Sequence, residues 1–291
     1  MTAALGTPAR PIHVSYSELA AFWQCPTKHR WGYRDRWNSD EGKPALDRGT
    51  VWHAMLQTYY ELSRLKVPAA ERRAQVLETM ITGDLDDEQA DLLEWMYDGY
   101  AALYGEDGEY DILATEIDRT IPLPLPTDPY QPGAYALKVK IDMVTRNRRT
   151  RQILAWDHKT ASDFTPVDRL QWRPQFPLYT WALRAAKLDV QGFIVNSART
   201  KRNKGPMADD QRYRRNFLIY TDRQLTEAAM NASRTAYAIH DPERVEYSAP
   251  SDLQVGGCTW CEFSKPHAQI MRGVDEETAM SDFGFIRGYR P

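Results

Sequence analysis

The sequence predicts an α/β fold in which a mixed sheet is flanked by helices. Three observations support this fold class. Apolar residues recur at helical spacing through the first hundred residues, the pattern changes to strand-like runs from Asp111 onward, and a helix, two strands and another helix follow. The chain has 291 residues, 42% hydrophobic and 26% charged, which is enough for one large domain or two small ones.

The N-terminal region is predicted to be helical. Residues 15–18, Ser-Tyr-Ser-Glu, fit a capping box at the start of a helix over 17–24. This helix should end just before Pro26, because the residue that precedes a proline disfavours the helical conformation. Further helices are predicted over 47–65, 69–81 and 86–104.

Strands are predicted in the middle of the chain. The first three cover 112–123, 136–146 and 151–158, and the proline-rich stretch 122–132 is predicted to be a long loop. A helix over 174–187 can accommodate Pro174 and Pro177 only within its first turn, where backbone donors lack helical partners. The remaining elements are strands over 192–198 and 214–220 and a helix over 222–239.

Composition narrows the class of protein. No apolar run approaches the roughly 18 residues of a membrane helix, and residues 1–10 lack the features of a secretory signal. We therefore expect a soluble cytoplasmic protein without membrane contact. The formal net charge of -3 gives no overall indication of nucleic-acid binding.

Basic residues are nevertheless clustered in two places. One cluster lies in the turn between the second and third strands and the other follows the strand over 192–198. The members are Arg146, Arg148, Arg149 and Arg151 in the first, and Arg199, Lys201, Arg202, Lys204, Arg212, Arg214 and Arg215 in the second. Such clusters can neutralise phosphates along a groove, or they can be solvated loop charge.

The triplet Asp157-His158-Lys159 closes an apolar strand and suggests a metal site. Residues two apart on a strand point to the same face, so Asp157 and Lys159 project together while His158 points away. If the preceding strand pairs with this one, Asp142 joins Asp157 as a second oxygen ligand for Mg²⁺ or Mn²⁺. The alternative is solvated surface charge, since short motifs often mislead.

Four other residues are candidates for the same site. His53 lies in a predicted helix, although a single histidine is more often structural or exposed. Glu116 lies within the first strand, where an outward-facing carboxylate is an equally good interpretation. Gln175 and Tyr179 are four residues apart and share a helix face, which suits a nucleotide contact; alternatively, Tyr179 packs in the core.

These residues, taken in order, resemble the motifs of the RecB-like branch of the PD-(D/E)XK nuclease superfamily. The matching positions are His53, Asp142, Asp157, Lys159, Gln175 and Tyr179, and the resemblance covers roughly 15–267. It implies a restriction-endonuclease-like core. Two positions depart from the family pattern, since Val139 stands where a glycine is common and Asp157 where a glutamate is frequent.

The resemblance also implies an activity and a set of roles. His53, Asp142, Asp157 and the main-chain carbonyl of His158 would hold Mg²⁺ or Mn²⁺, and Lys159 would orient the attacking water. The expected activity is a DNA exonuclease acting in recombination, repair or phage DNA processing, with a recombination or helicase protein as partner. The rivals are an endonuclease or structure-specific nuclease of this fold, and an inactive DNA-binding module.

The three cysteines suggest a second metal site. Cys258 and Cys261 form a C-x-x-C pair, a strong local chelate spacing, and Cys25 lies far upstream. This arrangement resembles the iron-sulfur members of the branch, which include AddB and the CRISPR-associated exonucleases, except that His267 takes the place of the last cysteine. The resemblance implies a 4Fe-4S cluster acting as a clasp between the chain ends. Zinc is the alternative metal, and three unrelated thiols are the alternative interpretation.

The predicted domain organisation follows from these elements. Residues 1–110 would be an N-terminal helical region with the first cluster cysteine and the motif histidine. Residues 111–245 would be the nuclease core. Residues 246–291 would bind the cluster and close onto the N-terminus.

Overall fold

The structure is a computed structural model that describes residues 11–39, 44–82, 85–105, 108–241 and 257–288. Within these residues the chain forms two compact units. The first draws on residues within 1–42, 122–137 and 231–291, and the second on residues within 43–121 and 138–230. The predicted start of the C-terminal segment at residue 246 lies outside the described residues.

Among the described residues, the six longest helices lie close to their predicted positions, whereas five short helices were not predicted. The bounds of the helices are α1 (Tyr16–Gln24), α2 (Pro26–His29), α3 (Pro44–Arg64), α4 (Ala69–Glu78), α5 (Asp87–Tyr104), α6 (Val167–Gln171), α7 (Gln175–Ala185), α8 (Asp209–Arg212), α9 (Asp222–Ile239), α10 (Ser264–Ile270) and α11 (Glu276–Asp282). The helices that were not predicted are α2, α6, α8, α10 and α11. A π-helical turn covers Arg30–Arg34, and 3₁₀ turns cover Thr79–Thr82 and Cys258–Trp260. Within the described residues no helix is both long and apolar enough to cross a membrane.

Local chemistry sets three of the helix ends as expected. The Ser15 side chain accepts a hydrogen bond from the Glu18 backbone N–H at 3.1 Å, which satisfies one of the free donors at the start of α1. Helix α1 ends at Gln24, directly before Cys25 and Pro26. Pro174 is the N-cap of α7, so Pro177 falls within the first turn, as its missing N–H requires.

The strands are β1 (Ile12–Ser15), β2 (Trp37–Ser39), β3 (Tyr110–Leu125), β4 (Asp128–Asn147), β5 (Ile153–Ala161), β6 (Val190–Arg199), β7 (Tyr213–Ile219) and β8 (Phe285–Arg287). A six-stranded sheet has the order β1-β4-β5-β6-β7, and β3 also pairs with β4. Strands β4 and β5 are antiparallel, β5 and β6 parallel, and β6 and β7 antiparallel. The predicted mixed sheet flanked by helices is therefore confirmed.

The predicted loop over 122–132 is wrong. Strand β3 runs to Leu125 and β4 begins at Asp128, so only a two-residue turn separates them. Within the described residues β3 pairs only with β4, and an edge strand tolerates prolines whose missing N–H faces away from the partner. Gly133 allows the close approach here, because a Cβ atom at that position would lie 2.9 Å from the Pro124 carbonyl oxygen.

The second unit has a core rich in aromatic side chains. Helices α3 and α5 pack on each other, and α3 packs on β5. The buried residues that fill this layer include Trp52, Tyr59, Tyr60, Tyr97, Tyr100 and Trp156. Since each large aromatic side chain buries roughly 150–250 Å² of surface, these rings fix α3 against the strand that carries the Asp-x-Lys triplet.

The first unit joins the two ends of the described chain. Strand β2 pairs antiparallel with β8, with Trp37 opposite Arg287. A separate apolar cluster fills the space beneath them, consisting of Trp31, Trp37, Phe263, Met280 and Phe285. An ion pair between Arg30 and Glu276 adds a polar link between the same two segments.

Candidate active site

In strand β5, the side chains of the Asp-x-Lys triplet alternate between the two faces of the sheet. Lys159 Nζ donates to Asp157 Oδ1 at 2.9 Å, so these two side chains share one face. The His158 imidazole lies on the other face, buried and stacked on the Tyr60 ring with centroids 5.8 Å apart. This is the alternation that a period of two residues predicts.

Strand β4 brings the second carboxylate to the triplet. Met143 pairs with Trp156, which makes Asp142 and Asp157 the next positions along the two strands. Asp142 Oδ2 accepts a hydrogen bond from the His158 backbone N–H at 2.6 Å. The predicted meeting of these two acidic residues is therefore present in the structure.

Helix α3 adds an imidazole to the pair of carboxylates. His53 Nδ1 lies 3.4 Å from Asp142 Oδ1. Burial disfavours the charged imidazole, but the hydrogen bond and the charge of Asp142 outweigh it and raise the pKa of His53. For Asp142, burial opposes ionisation, yet the contacts with His53 and His158 lower the pKa to about 2.

These groups line an open cleft of about 530 Å³ in the second unit. The lining residues are Gly49, Thr50, His53, Ala54, Gln57, Glu116, Lys140, Asp142, Asp157, Lys159 and Thr160. Glu116 reaches the cleft from β3 and pairs with Lys140 Nζ at 3.1 Å. Its φ angle of 47° is unusual for a residue with a side chain, and such backbone strain is concentrated at functional sites.

The two carboxylate oxygens of Asp157 have different surroundings. Its Oδ1 atom accepts from Lys159 and from Gln175 Nε2, the latter at 3.4 Å. Among the described residues, its buried Oδ2 atom has no hydrogen-bond partner. Burial raises the pKa of Asp157, and the Asp142 charge adds to this effect while the Lys159 ammonium opposes it.

The donor chemistry of the cleft fits a hard divalent cation. Carboxylate oxygens are the ligands that Mg²⁺ and Mn²⁺ prefer, and the unpartnered Asp157 Oδ2 is an acceptor that such an ion would satisfy. The side chains do not form a finished ligand shell. Across the described part of the chain, no group of three or more His, Cys, Asp or Glu residues is positioned to hold a metal ion.

A polar network lies behind the strand, on the face opposite the cleft. The register aligns His158 with Asn196, and Asn196 with Arg215, across β5, β6 and β7. Asn196 Nδ2 donates to His158 Nδ1 at 2.9 Å and to the Tyr100 hydroxyl at 2.8 Å. Arg215 Nε donates to Asn196 Oδ1 at 3.4 Å, which is consistent with this orientation of the amide.

The network fixes the state of His158. Since an amide nitrogen can only donate, Nδ1 of His158 must accept, and its proton resides on Nε2. Burial lowers the pKa of His158 to about 3, so the ring is neutral. Asn196 was not singled out from the sequence, and Arg215 was not assigned this role. The available signal was an amide that follows the apolar run Phe193-Ile194-Val195.

The predicted DNA-binding residues fall in different surroundings. Gln175 reaches the site through Asp157, whereas Tyr179 is only 8% exposed and its ring packs near Phe193, at 6.5 Å between centroids. Arg148 pairs with Asp111 at 2.8 Å.

The other basic candidates also lie outside the cleft lining. Arg149 is exposed in the turn after β4, where its backbone N–H donates to Asn147 Oδ1 at 3.0 Å. Lys201 is exposed. Arg202 stacks over the Trp95 ring at 5.0 Å and donates to the Asp91 carbonyl, so its guanidinium already has intramolecular contacts.

The predicted cluster ligands all belong to the first unit but do not form a recognised metal site. Cys25 follows α1, Cys258 begins the 3₁₀ turn and Cys261 follows it. None of the three forms a disulfide. His267 packs edge-on to Trp31 with centroids 5.2 Å apart, and burial raises the pKa of the Cys261 thiol. The 4Fe-4S site is not supported by this arrangement, since the described residues contain no metal-binding group of this kind.

Comparison with known proteins identifies the class to which this fold and cleft belong. The model of the PD-(D/E)XK nuclease superfamily matches residues 13–265. The chain is a member of the PD-(D/E)XK nuclease superfamily. The match includes every residue of the cleft described above.

Two solved structures are distantly similar to this chain. A candidate exonuclease from Eubacterium rectale is 14% identical with a TM-score of 0.48, and the alignment covers 91% of this chain and 92% of that one. A protein described as SSO0001 is 12% identical with a TM-score of 0.40, covering 89% and 88%. A search of curated proteins finds no significant match.

The network behind β5 should contribute to stability. Replacing Asn196 with leucine removes the partner of His158 Nδ1 and of Arg215 Nε, and each buried polar group left unsatisfied costs about 1–3 kcal/mol. We expect Asn196→Leu to lower the free energy of unfolding by at least that amount in urea titration. Asn216→Leu, at a half-buried position of β7, is the matched control. Equal stability of the two variants would contradict this role for Asn196.

Proposed function

We propose that this protein is a divalent-metal-dependent DNA nuclease that hydrolyses phosphodiester bonds in the cleft of the second unit. The observation that carries the proposal is the meeting of Asp142 and Asp157 from paired strands, with Lys159 beside them and one buried carboxylate oxygen lacking a partner. Membership of a nuclease superfamily gives independent support. An inactive DNA-binding module is the less favoured alternative, because such a module would not require this complete set.

The cation would be Mg²⁺ or Mn²⁺. Asp142, Asp157, His53 and the His158 carbonyl would hold it, and when bound it would polarise the scissile phosphate and lower the pKa of a water molecule. The His158 N–H holds Asp142 in place through its 2.6 Å hydrogen bond. His53 Nδ1 lies 3.4 Å from the other oxygen of the same carboxylate, Asp142 Oδ1.

Lys159 has the role of orienting the attacking water and offsetting the charge that develops on the phosphate. Its ammonium is held by Asp157 Oδ1, and the same oxygen also receives the Gln175 amide. Substrate would compete for both donors, Lys159 on β5 and Gln175 on α7, which share this one acceptor. Glu116, paired with Lys140 at the wall of the cleft, would help to position the water.

DNA would be held by exposed basic side chains and by Gln175. Arg148, Arg149 and Lys201 are solvent-accessible and suited to contacts with phosphates. Arg202 already contacts Trp95, and Tyr179 is packed in the core. We assign those two residues a structural role instead.

Substitution of the lysine tests the proposed chemistry. We expect Lys159→Ala to lower the rate of DNA hydrolysis in Mg²⁺ or Mn²⁺ by about 100-fold or more, the usual effect of losing a positioned proton-transfer or charge-stabilising group. Lys138→Ala, which removes an exposed ammonium from β4, should retain the rate and serves as the charge control. Hydrolysis at the same rate by the Lys159 and Lys138 variants would exclude the proposal.

We further propose that the enzyme is an exonuclease, acting in recombination, repair or phage DNA processing with a recombination or helicase partner. This part rests on the motif resemblance. Labelled linear DNA should be digested from its ends, whereas a circular single strand of the same sequence should persist, and a chelator should stop digestion of the linear DNA. Comparable digestion of the circle, read on a denaturing gel, would instead identify an endonuclease.

A 4Fe-4S cluster, with zinc as the alternative, is proposed as a clasp within the first unit. The proposal rests on the residue types of Cys25, Cys258, Cys261 and His267 and on the motif resemblance, since the described side chains do not by themselves form a metal site. Anaerobically purified protein should contain about four iron atoms per chain, or one zinc atom. Cys258→Ser should lose the metal and melt at a lower temperature. Metal-free wild-type protein would overturn the clasp.

A further inference from the structure

The connection over residues 162–174 leads from the strand that carries the Asp-x-Lys triplet to the helix that begins with Gln175. It contains Trp172, whose side chain is 84% exposed. A large apolar side chain presented almost entirely to water suggests a contact with another molecule.

The backbone beneath Trp172 is well anchored. The Trp172 and Arg173 N–H groups both donate to the Leu170 carbonyl, the second at 3.1 Å, and the Leu170 side chain is 3% exposed. Pro166 and Pro174 restrict the backbone at either end. The indole therefore projects from an ordered support, which reduces the entropy lost when a ligand binds.

Two exposed basic side chains lie close to Trp172 in the sequence. Arg169 and Arg173 are exposed on the same connection, and Arg214 of β7 stacks over Phe164 at 4.8 Å. Of the acidic neighbours, Asp163 is paired with Arg199 at 3.0 Å.

The surface formed by Arg169, Trp172 and Arg173, hereafter the Trp172 surface, thus combines an aromatic face with positive charge. One exposed carboxylate of the connection, that of Asp168, opposes it. Because two arginines outnumber one carboxylate, the net charge of the Trp172 surface favours an anionic ligand, and the indole favours a ligand with a flat ring.

The Trp172 surface is close to the proposed site of hydrolysis. Trp172 precedes Gln175 by three residues, so their Cα atoms are at most about 11 Å apart along a trans backbone. The Gln175 amide lies 3.4 Å from Asp157 Oδ1. The Trp172 surface therefore lies within the length of a few nucleotides of the cleft.

We propose that Trp172 stacks on an unpaired base of single-stranded DNA while Arg169 and Arg173 bind the adjacent phosphates. The inference rests on the proposed function and specifies its substrate class. In a duplex both faces of each base are covered by neighbouring pairs, whereas a single strand can offer a free face to an aromatic ring. Stacking explains an exposed indole, and phosphate binding explains the flanking arginines, so one ligand accounts for both.

Binding can be measured separately from hydrolysis. Fluorescence anisotropy with a labelled single-stranded oligonucleotide, without added divalent cation, reports affinity, and a denaturing gel verifies that the probe stays intact. A second probe of equal length carries abasic sites, which keep the phosphates but remove the bases. The protein variants are Trp172→Ala, Trp172→Phe and the control Tyr130→Ala, which truncates a side chain that is 91% exposed in the first unit.

We expect Trp172→Ala to weaken binding of the base-containing probe by about 5- to 150-fold and to leave binding of the abasic probe unchanged. Trp172→Phe should restore most of the affinity, and Tyr130→Ala should bind as the wild type does. Equal affinity of Trp172→Ala and wild type, an equal loss on both probes, or no binding of single strands by the wild type would each overturn the inference. If the binding pattern is as expected but Mg²⁺ and Mn²⁺ support no hydrolysis, the nuclease proposal fails and the stacking site stands.

Discussion

The hydrogen bond from the His158 backbone to the Asp142 carboxylate is the contact on which the cleft depends. At 2.6 Å it joins the two strands at the point where their acidic residues meet. Two buried carboxylates repel each other, so the arrangement requires compensation. His53 supplies it to Asp142 and Lys159 supplies it to Asp157. The pKa values of the two acids are pushed in opposite directions, since that of Asp142 is lowered and that of Asp157 is raised.

The two faces of strand β5 have different environments, an open cleft on one side and a buried polar network on the other. Its cleft face presents groups that can exchange partners, because Lys159 and Gln175 share one acceptor oxygen. Its other face is packed with a network in which Arg215 lies 3.4 Å from the centre of the Tyr104 ring and 4.7 Å from that of Trp156. A fully connected polar network in a buried layer rigidifies what it contacts. The strand can therefore hold reactive groups in fixed positions although they face an open cleft.

Periodicity in the sequence was sufficient to locate most helices and the central strands, and the spacing of the Asp-x-Lys triplet correctly placed Asp157 and Lys159 on one face. Prediction from local sequence failed where the structure of a segment depends on residues that are distant in the chain. The prolines of 122–132 indicated a loop, but an edge strand accommodates them. The contact between Asn196 and Arg215 was not predicted, because only the register of three strands brings these residues to His158. The cysteine spacing was clear, yet spacing alone does not determine the distance between Cys25 and a segment more than 200 residues away.

The pairing of β2 with β8 has a consequence for biosynthesis. Residues 37–39 find their hydrogen-bonding partners only at residues 285–287, so the ribosome must complete nearly all of this sequence before that small sheet can form. Until then Trp31 and Trp37 lack the ring of Phe285 that completes their cluster. Residues 31–39 must therefore remain without these partners while the later strands are synthesised, which exposes two tryptophan side chains to aggregation or to chaperones.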